Sequence, residues 1–137
     1  MKQKMEAPTT TTRQEPKEHT VVHFEIPGTD PTKLASFYQQ LFGWKFSKWE
    51  GPTEYWIIAH KDATENDIMG GLYKRNAPNE QFLNYFLVRS VDESVRKATS
   101  LGGTVVSPKQ EIPKGYMAVL TDPDGNRFAF FQPTGRM

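Results

Sequence analysis

Two short segments hold the side chains most able to do acid–base chemistry. In "TVVHFEI" (residues 20–26) His23 and Glu25 are two residues apart. On an extended backbone that spacing puts both on one face, about 6.5–7 Å apart along the strand. In "FLNYFLV" (residues 82–88) Tyr85 shares a face with Leu87. An imidazole, a carboxylate and a phenol around one cavity could orient a ligand by hydrogen bonds or pass protons. Burial raises a carboxyl pKa and suits it to general-base work. The same three groups could equally be wall residues satisfied by their neighbours. His19 lies at a strand start and His60 precedes the charged "KD", so both are expected in solvent. A metal site drawn from His19, His23, Glu25 and His60 would need same-strand ligands to converge on one ion, and they do not.

The chain that must position these groups has 137 residues, enough for one domain. It contains no cysteine, which excludes disulfides, thiolate metal sites and cysteine nucleophiles. Net charge is +1, and beyond residue 20 basic and acidic residues balance at thirteen each. No basic stripe supports nucleic-acid binding. No apolar run approaches membrane-spanning length and no secretory segment is visible, so a cytoplasmic protein with no membrane partner is expected. Nine Phe, five Tyr and three Trp are enough to furnish both a core and a pocket for an apolar ligand.

The polar, Thr-rich residues 1–19 read as a disordered tail. A strand over 20–26 leads into a helix capped by Asp30 with Pro31 behind it, striped by Leu34, Phe37, Tyr38 and Leu41, and ended at Gly43. Strands are expected over 44–49, 54–60 and 68–73. The pattern then repeats. A strand over 82–88 is followed by a helix with a Ser90–Glu93 capping box, a stripe of Val91, Val95, Ala98 and Leu101, and a stop at Gly102–Gly103. Strands over 104–107, 117–121 and 127–132 follow, the last two joined by a "DPDGN" turn. The two caps, Asp30 and Ser90, are 60 residues apart, and so are the two stops, Gly43 and Gly103. This is a βαβββ unit written twice, in modules of about 20–75 and 82–133 within one domain, 20–135. The fold class is α+β. Each unit has one helix for one sheet face, which leaves the other face to a partner or a cleft.

"HFEIPGTDPTKLASFYQQLFGW", the "GGL" at residues 70–72 and "DPDGNRFAFF" resemble the vicinal oxygen chelate superfamily, which includes glyoxalase I, bleomycin-resistance proteins and extradiol dioxygenases. The resemblance covers about Thr20 to Pro133. It implies two βαβββ modules curving into a half-barrel with the helices outside and ligands in the concave cavity. It also implies, in metal-dependent members, four strand-borne His and Glu ligands for one divalent ion. Carried over by position, the first falls on His23, the second near Gly71, the third on Tyr85 and the fourth on Ala129. One ligand of four is left, so no metal and no other cofactor are expected.

Strand parity places His23, Glu25, Tyr85, Leu87, Ala129 and Phe131 on the concave face, with Trp49, Trp56, Met69 and Met117 as further wall candidates. Ala129→Trp is then expected to fill open space, whereas Phe128 and Phe130 face the helices. The reading that follows is a glyoxalase-like protein that binds a small organic molecule without metal, as bleomycin-resistance proteins sequester a ligand. One alternative is a glyoxalase-like lyase or isomerase, or a metal-free acid–base enzyme using His23, Glu25 and Tyr85. The other is a protein–protein interaction module. A homodimer is expected, since single-domain members of the superfamily commonly pair modules across chains.

Overall fold

Strand β1 (Val21–Gly28) is the hinge of the architecture. On one side it pairs parallel with β4 (Ile68–Lys74), and on the other antiparallel with β5 (Leu83–Leu87). The computed structural model describes residues 16–64 and 67–135. Around the β1–β5 seam the two modules repeat each other. The first adds α1 (Pro31–Phe42), β2 (Lys45–Lys48) and β3 (Tyr55–Ala59). The second adds α2 (Val91–Ser100), β6 (Thr104–Ile112), β7 (Gly115–Thr121) and β8 (Arg127–Pro133). The result is one eight-stranded mixed sheet in the order β2-β3-β4-β1-β5-β8-β7-β6, curved but not closed. The β1–β4 pair of the first module has its counterpart in the parallel β5–β8 pair of the second. The expected α+β half-barrel of two βαβββ units is therefore the fold.

Both helices start as their caps dictate. The Asp30 carboxylate accepts from the Lys33 amide at 3.3 Å, and Ser90 Oγ accepts from the Glu93 amide at 3.1 Å. Gly43 closes α1 in the left-handed region, at φ 76°. The helices cover one sheet face with two cores. Ile26, Ile58 and Leu72 pack under Leu34, Ala35 and Tyr38 of α1. Val88, Val91, Ala118 and Leu120 pack with Val95 and Ala98 of α2, and Phe128 and Phe130 join them as expected. The stripes are narrower than their sequence suggests. On α1, Phe37 and Leu41 stay 54% and 56% exposed, because the curved sheet meets only the Leu34–Tyr38 side. Leu101 is the C-cap of α2 and projects past the sheet.

Two boundaries differ from the sequence reading by more than two residues. Strand β6 continues to Ile112, past a proline that argues against a strand. It is an edge strand, where Pro108 needs no ladder partner on its open side, and two register shifts absorb the irregularity. The polar tail expected over 1–19 falls for residues 1–15 outside the described residues. Residues 16–19 are held in place. The His19 amide donates to the Leu87 carbonyl at 2.7 Å, and Glu18 accepts from both the backbone and the guanidinium of Arg89. Among the described residues, no helix is long and apolar enough to cross a membrane.

Candidate functional site

The register across the seam brings the chemistry-bearing positions together. On the concave face His23 of β1 stands opposite Tyr85 of β5, and Tyr85 stands beside Ala129 of β8. Glu25 stands beside Gly71 of β4, and Gly71 beside Ile57 of β3. Tyr55, two residues before Ile57, reaches back across this row. Its hydroxyl donates to Glu25 Oε2 at 2.8 Å and lies 3.0 Å from His23 Nε2. The Tyr85 hydroxyl donates to Glu25 Oε1 at 2.8 Å. A side chain at position 71 would land on the hydroxyl and ring of Tyr55, so glycine there is what lets Tyr55 reach Glu25.

This wiring fixes the protons. A tyrosine hydroxyl has one hydrogen, and that of Tyr55 goes to Glu25. Its oxygen is then an acceptor, so neutral His23 is held as the Nε2–H tautomer with Nδ1 bare. Burial holds the His23 pKa below the ordinary histidine value, with the nearby Glu25 charge pulling weakly the other way. Burial raises the pKa of both tyrosines, and the Glu25 carboxylate raises it further, so both phenols remain donors. The His23 and Tyr85 rings meet edge to face, centroids 5.4 Å apart.

This cluster forms part of the wall of a cavity of about 820 Å³. Of the expected wall residues, His23, Glu25, Trp49, Tyr85, Leu87, Met117 and Phe131 line it. Three others do not. Trp56 lies opposite the fully buried Leu72 and packs with it in the α1 core, while its neighbours Tyr55 and Ile57 face the cavity. Met69 shares parity with Gly71, but a bulge where β4 meets β3 turns it into the α1 core. Ala129 is on the concave face yet fully buried, packed in a cluster with Tyr85, Met117 and Val119. Ala129→Trp would therefore enter packed side chains rather than open space.

Sequence reasoning missed Tyr55, Ile57, Ile68 and Val22. "YWIIA" is apolar at every position, so parity could not choose a face. Val22 reaches the cavity beside His23 because β1 bulges between Val21 and His23. His19 and His60 are exposed and line neither hollow of the sheet. On the far side of the Glu25–Tyr55–Tyr85 cluster is a second, more polar hollow of about 950 Å³, bordered by Asn76, Glu80 and Arg127. There burial and the Glu80 carboxylate push the Tyr73 pKa up to about 12.

The doubled module and its concave row are the setting for a comparison with known proteins. The profile of the glyoxalase-like domain matches residues 20–131. The chain belongs to that family. The match places this glyoxalase-like domain in the vicinal oxygen chelate superfamily. It is 29% identical over 119 residues to the proteins named "Putative glyoxylase CFP32" of Mycobacterium bovis and Mycobacterium tuberculosis. That alignment takes in 83% of this chain, but the chain spans only 44% of the length of those curated relatives. Among solved structures it is similar to the hypothetical protein BH1468 of Bacillus halodurans (TM-score 0.65, 13% identity, 88% of this chain and 99% of that one). It is also similar to a variant of Streptomyces coelicolor methylmalonyl-CoA epimerase in complex with 2-nitronate-propionyl-CoA (TM-score 0.64, 12% identity, 87% and 100%). At these identities the structures speak for the fold.

The donor set of this glyoxalase-like domain does not fit the divalent ion of the metal-dependent members. The four positions supply an imidazole at 23, no side chain at 71, a phenol donating to Glu25 at 85 and a buried methyl at 129. Even an open site normally takes three protein ligands. Among the described residues, no group of three or more His, Asp or Glu could hold a metal ion.

Proposed function

We propose that this glyoxalase-like domain binds a small organic molecule in its concave cavity and does so without a metal ion. The observation that carries this is the character of the wall. Trp49, Ile57, Leu87 and Phe131 supply apolar surface, and four polar side chains, His23, Glu25, Tyr55 and Tyr85, converge in one cluster. That composition and volume suit a ligand with an aromatic or alkyl body and one or two polar handles. The bare Nδ1 of His23 is an acceptor for a hydroxyl or amide handle.

A second reading, metal-free acid–base catalysis, draws on the same His23 and Glu25. The hydrogen bonds favour binding over catalysis. Each Glu25 oxygen already accepts a hydrogen bond from a phenol, so a substrate proton would have to displace a tyrosine to reach it. The metal half of the proposal is tested by elemental analysis of gently purified protein. Less than a tenth of an equivalent of zinc, nickel, manganese or iron per chain is expected, and about one equivalent would overturn it.

The protein is further proposed to be a homodimer. The half-exposed Phe37, Leu41 and Phe42 of α1 and the open sheet edges at β2 and β6 support this.

A further inference from the structure

The cavity wall carries two charged side chains, Glu25 and Lys114. Glu25 is engaged by two phenols, whereas no ion pair or side-chain hydrogen bond engages the Lys114 ammonium among the described residues. Lys114 is exposed and so belongs to the cavity mouth. Its backbone is unusual. Pro113 and Lys114 connect β6 to β7, and Lys114 adopts φ 75°. Proline followed by a positive φ is the pattern of a type II turn, whose third position favours glycine. A lysine there is held against its own preference. Thr134 holds it, donating to the Lys114 carbonyl from its amide at 3.0 Å and from its hydroxyl at 3.4 Å. The buried Gly115 that follows has no room for a side chain against the Gln132 carbonyl, which anchors the turn on β8.

We infer that Lys114 is an anion-recognition residue, and that the ligand of this cavity carries a carboxylate at its outer end. The inference rests on the proposed binding function and narrows its ligand class. The apolar body lies among Trp49, Leu87 and Phe131, and the carboxylate meets the ammonium at the mouth. The turn pinned at both ends fixes the Cα from which the flexible lysine stem reaches, so the charge stays within reach of the mouth.

The test compares 1-naphthaleneacetate with 1-naphthaleneacetamide, which share a ring and nearly a shape but differ in charge. Each is titrated calorimetrically into the full chain and into Lys114→Asn and Lys114→Gly, two residues that accept the left-handed backbone. In the wild type the carboxylate should bind about two- to fivefold tighter than the amide, as an exposed ion pair allows, with the difference shrinking as salt rises. Both variants should lose that preference while still binding the amide, and should melt at or above the wild-type temperature because the turn is relieved. Equal binding of the two probes by the wild type, or a preference that survives in both variants, would overturn the inference and leave the cavity reading intact. Binding of neither probe would overturn both.

Discussion

At the residue scale the polar cluster is centred on Tyr55, whose hydroxyl joins His23 to Glu25. Tyr55→Phe keeps the ring and removes the bond. It leaves a carboxylate oxygen and an imidazole N–H without that partner, and the expected loss of stability is about 1–3 kcal/mol by chemical denaturation. Tyr85→Phe should behave alike, and the double variant should depart from additivity because both hydroxyls serve Glu25. A Tyr55→Phe variant as stable as the wild type would mean the network is not formed. His23 supplies a pH signature. Its pKa is lowered in the folded protein, so below the ordinary value of 6.5 the unfolded chain takes up a proton that the folded chain refuses. The His23 contribution to stability is therefore complete above pH 6.5 and falls away as pH drops toward the depressed folded value. Melting temperatures of the wild type and His23→Gln across pH 5–7.5 should converge or cross at the acid end. Parallel curves would show that His23 titrates freely. None of this network was legible in the sequence beyond His23, Glu25 and Tyr85, because Tyr55 joins through a β3–β4–β1 register that no local pattern encodes.

At the scale of elements, the caps, stops and 60-residue repeat were readable because each is local chemistry. Asp30, Ser90 and Gly43 do in the structure what their residue types favour. Facing was readable where one side of a strand is polar or fixed by a turn, as for Tyr85 and Leu87, and for Phe128 and Phe130. It failed where a bulge intervenes, as at Met69, and where both faces are apolar, as at Trp56. Ala129 shows a third limit. Parity gave its face, but only packing shows that Tyr85, Met117 and Val119 already cover it. Ala129→Trp is accordingly expected to destabilise by more than about 3 kcal/mol through overpacking, beyond the usual 1–3 kcal/mol because a methyl becomes an indole. Phe130→Ala should cost about 3 kcal/mol by opening the α2 core. Denaturant midpoints of the two variants check both, and a well-folded, stable Ala129→Trp protein would show the floor to be empty.

For the whole molecule, one chain supplies both modules, so the cavity does not need a second copy for its wall. Pairing would instead cover Phe37, Leu41 and Phe42. Light scattering at micromolar concentration should give twice the 15.7 kDa chain mass, and Phe37→Glu with Leu41→Lys should return it to the monomer. A wild-type monomer would remove the dimer from the account without touching the site. The site is a half-barrel retained from a superfamily with many activities, and the family alone does not supply a reaction.

Ligand binding without metal can be checked by titrating 1-naphthaleneacetate into the protein before and after dialysis against a chelator. One site per chain is expected, with an affinity unchanged by the chelator and by added zinc or manganese. Binding that vanishes with the chelator and returns with a divalent ion would contradict it.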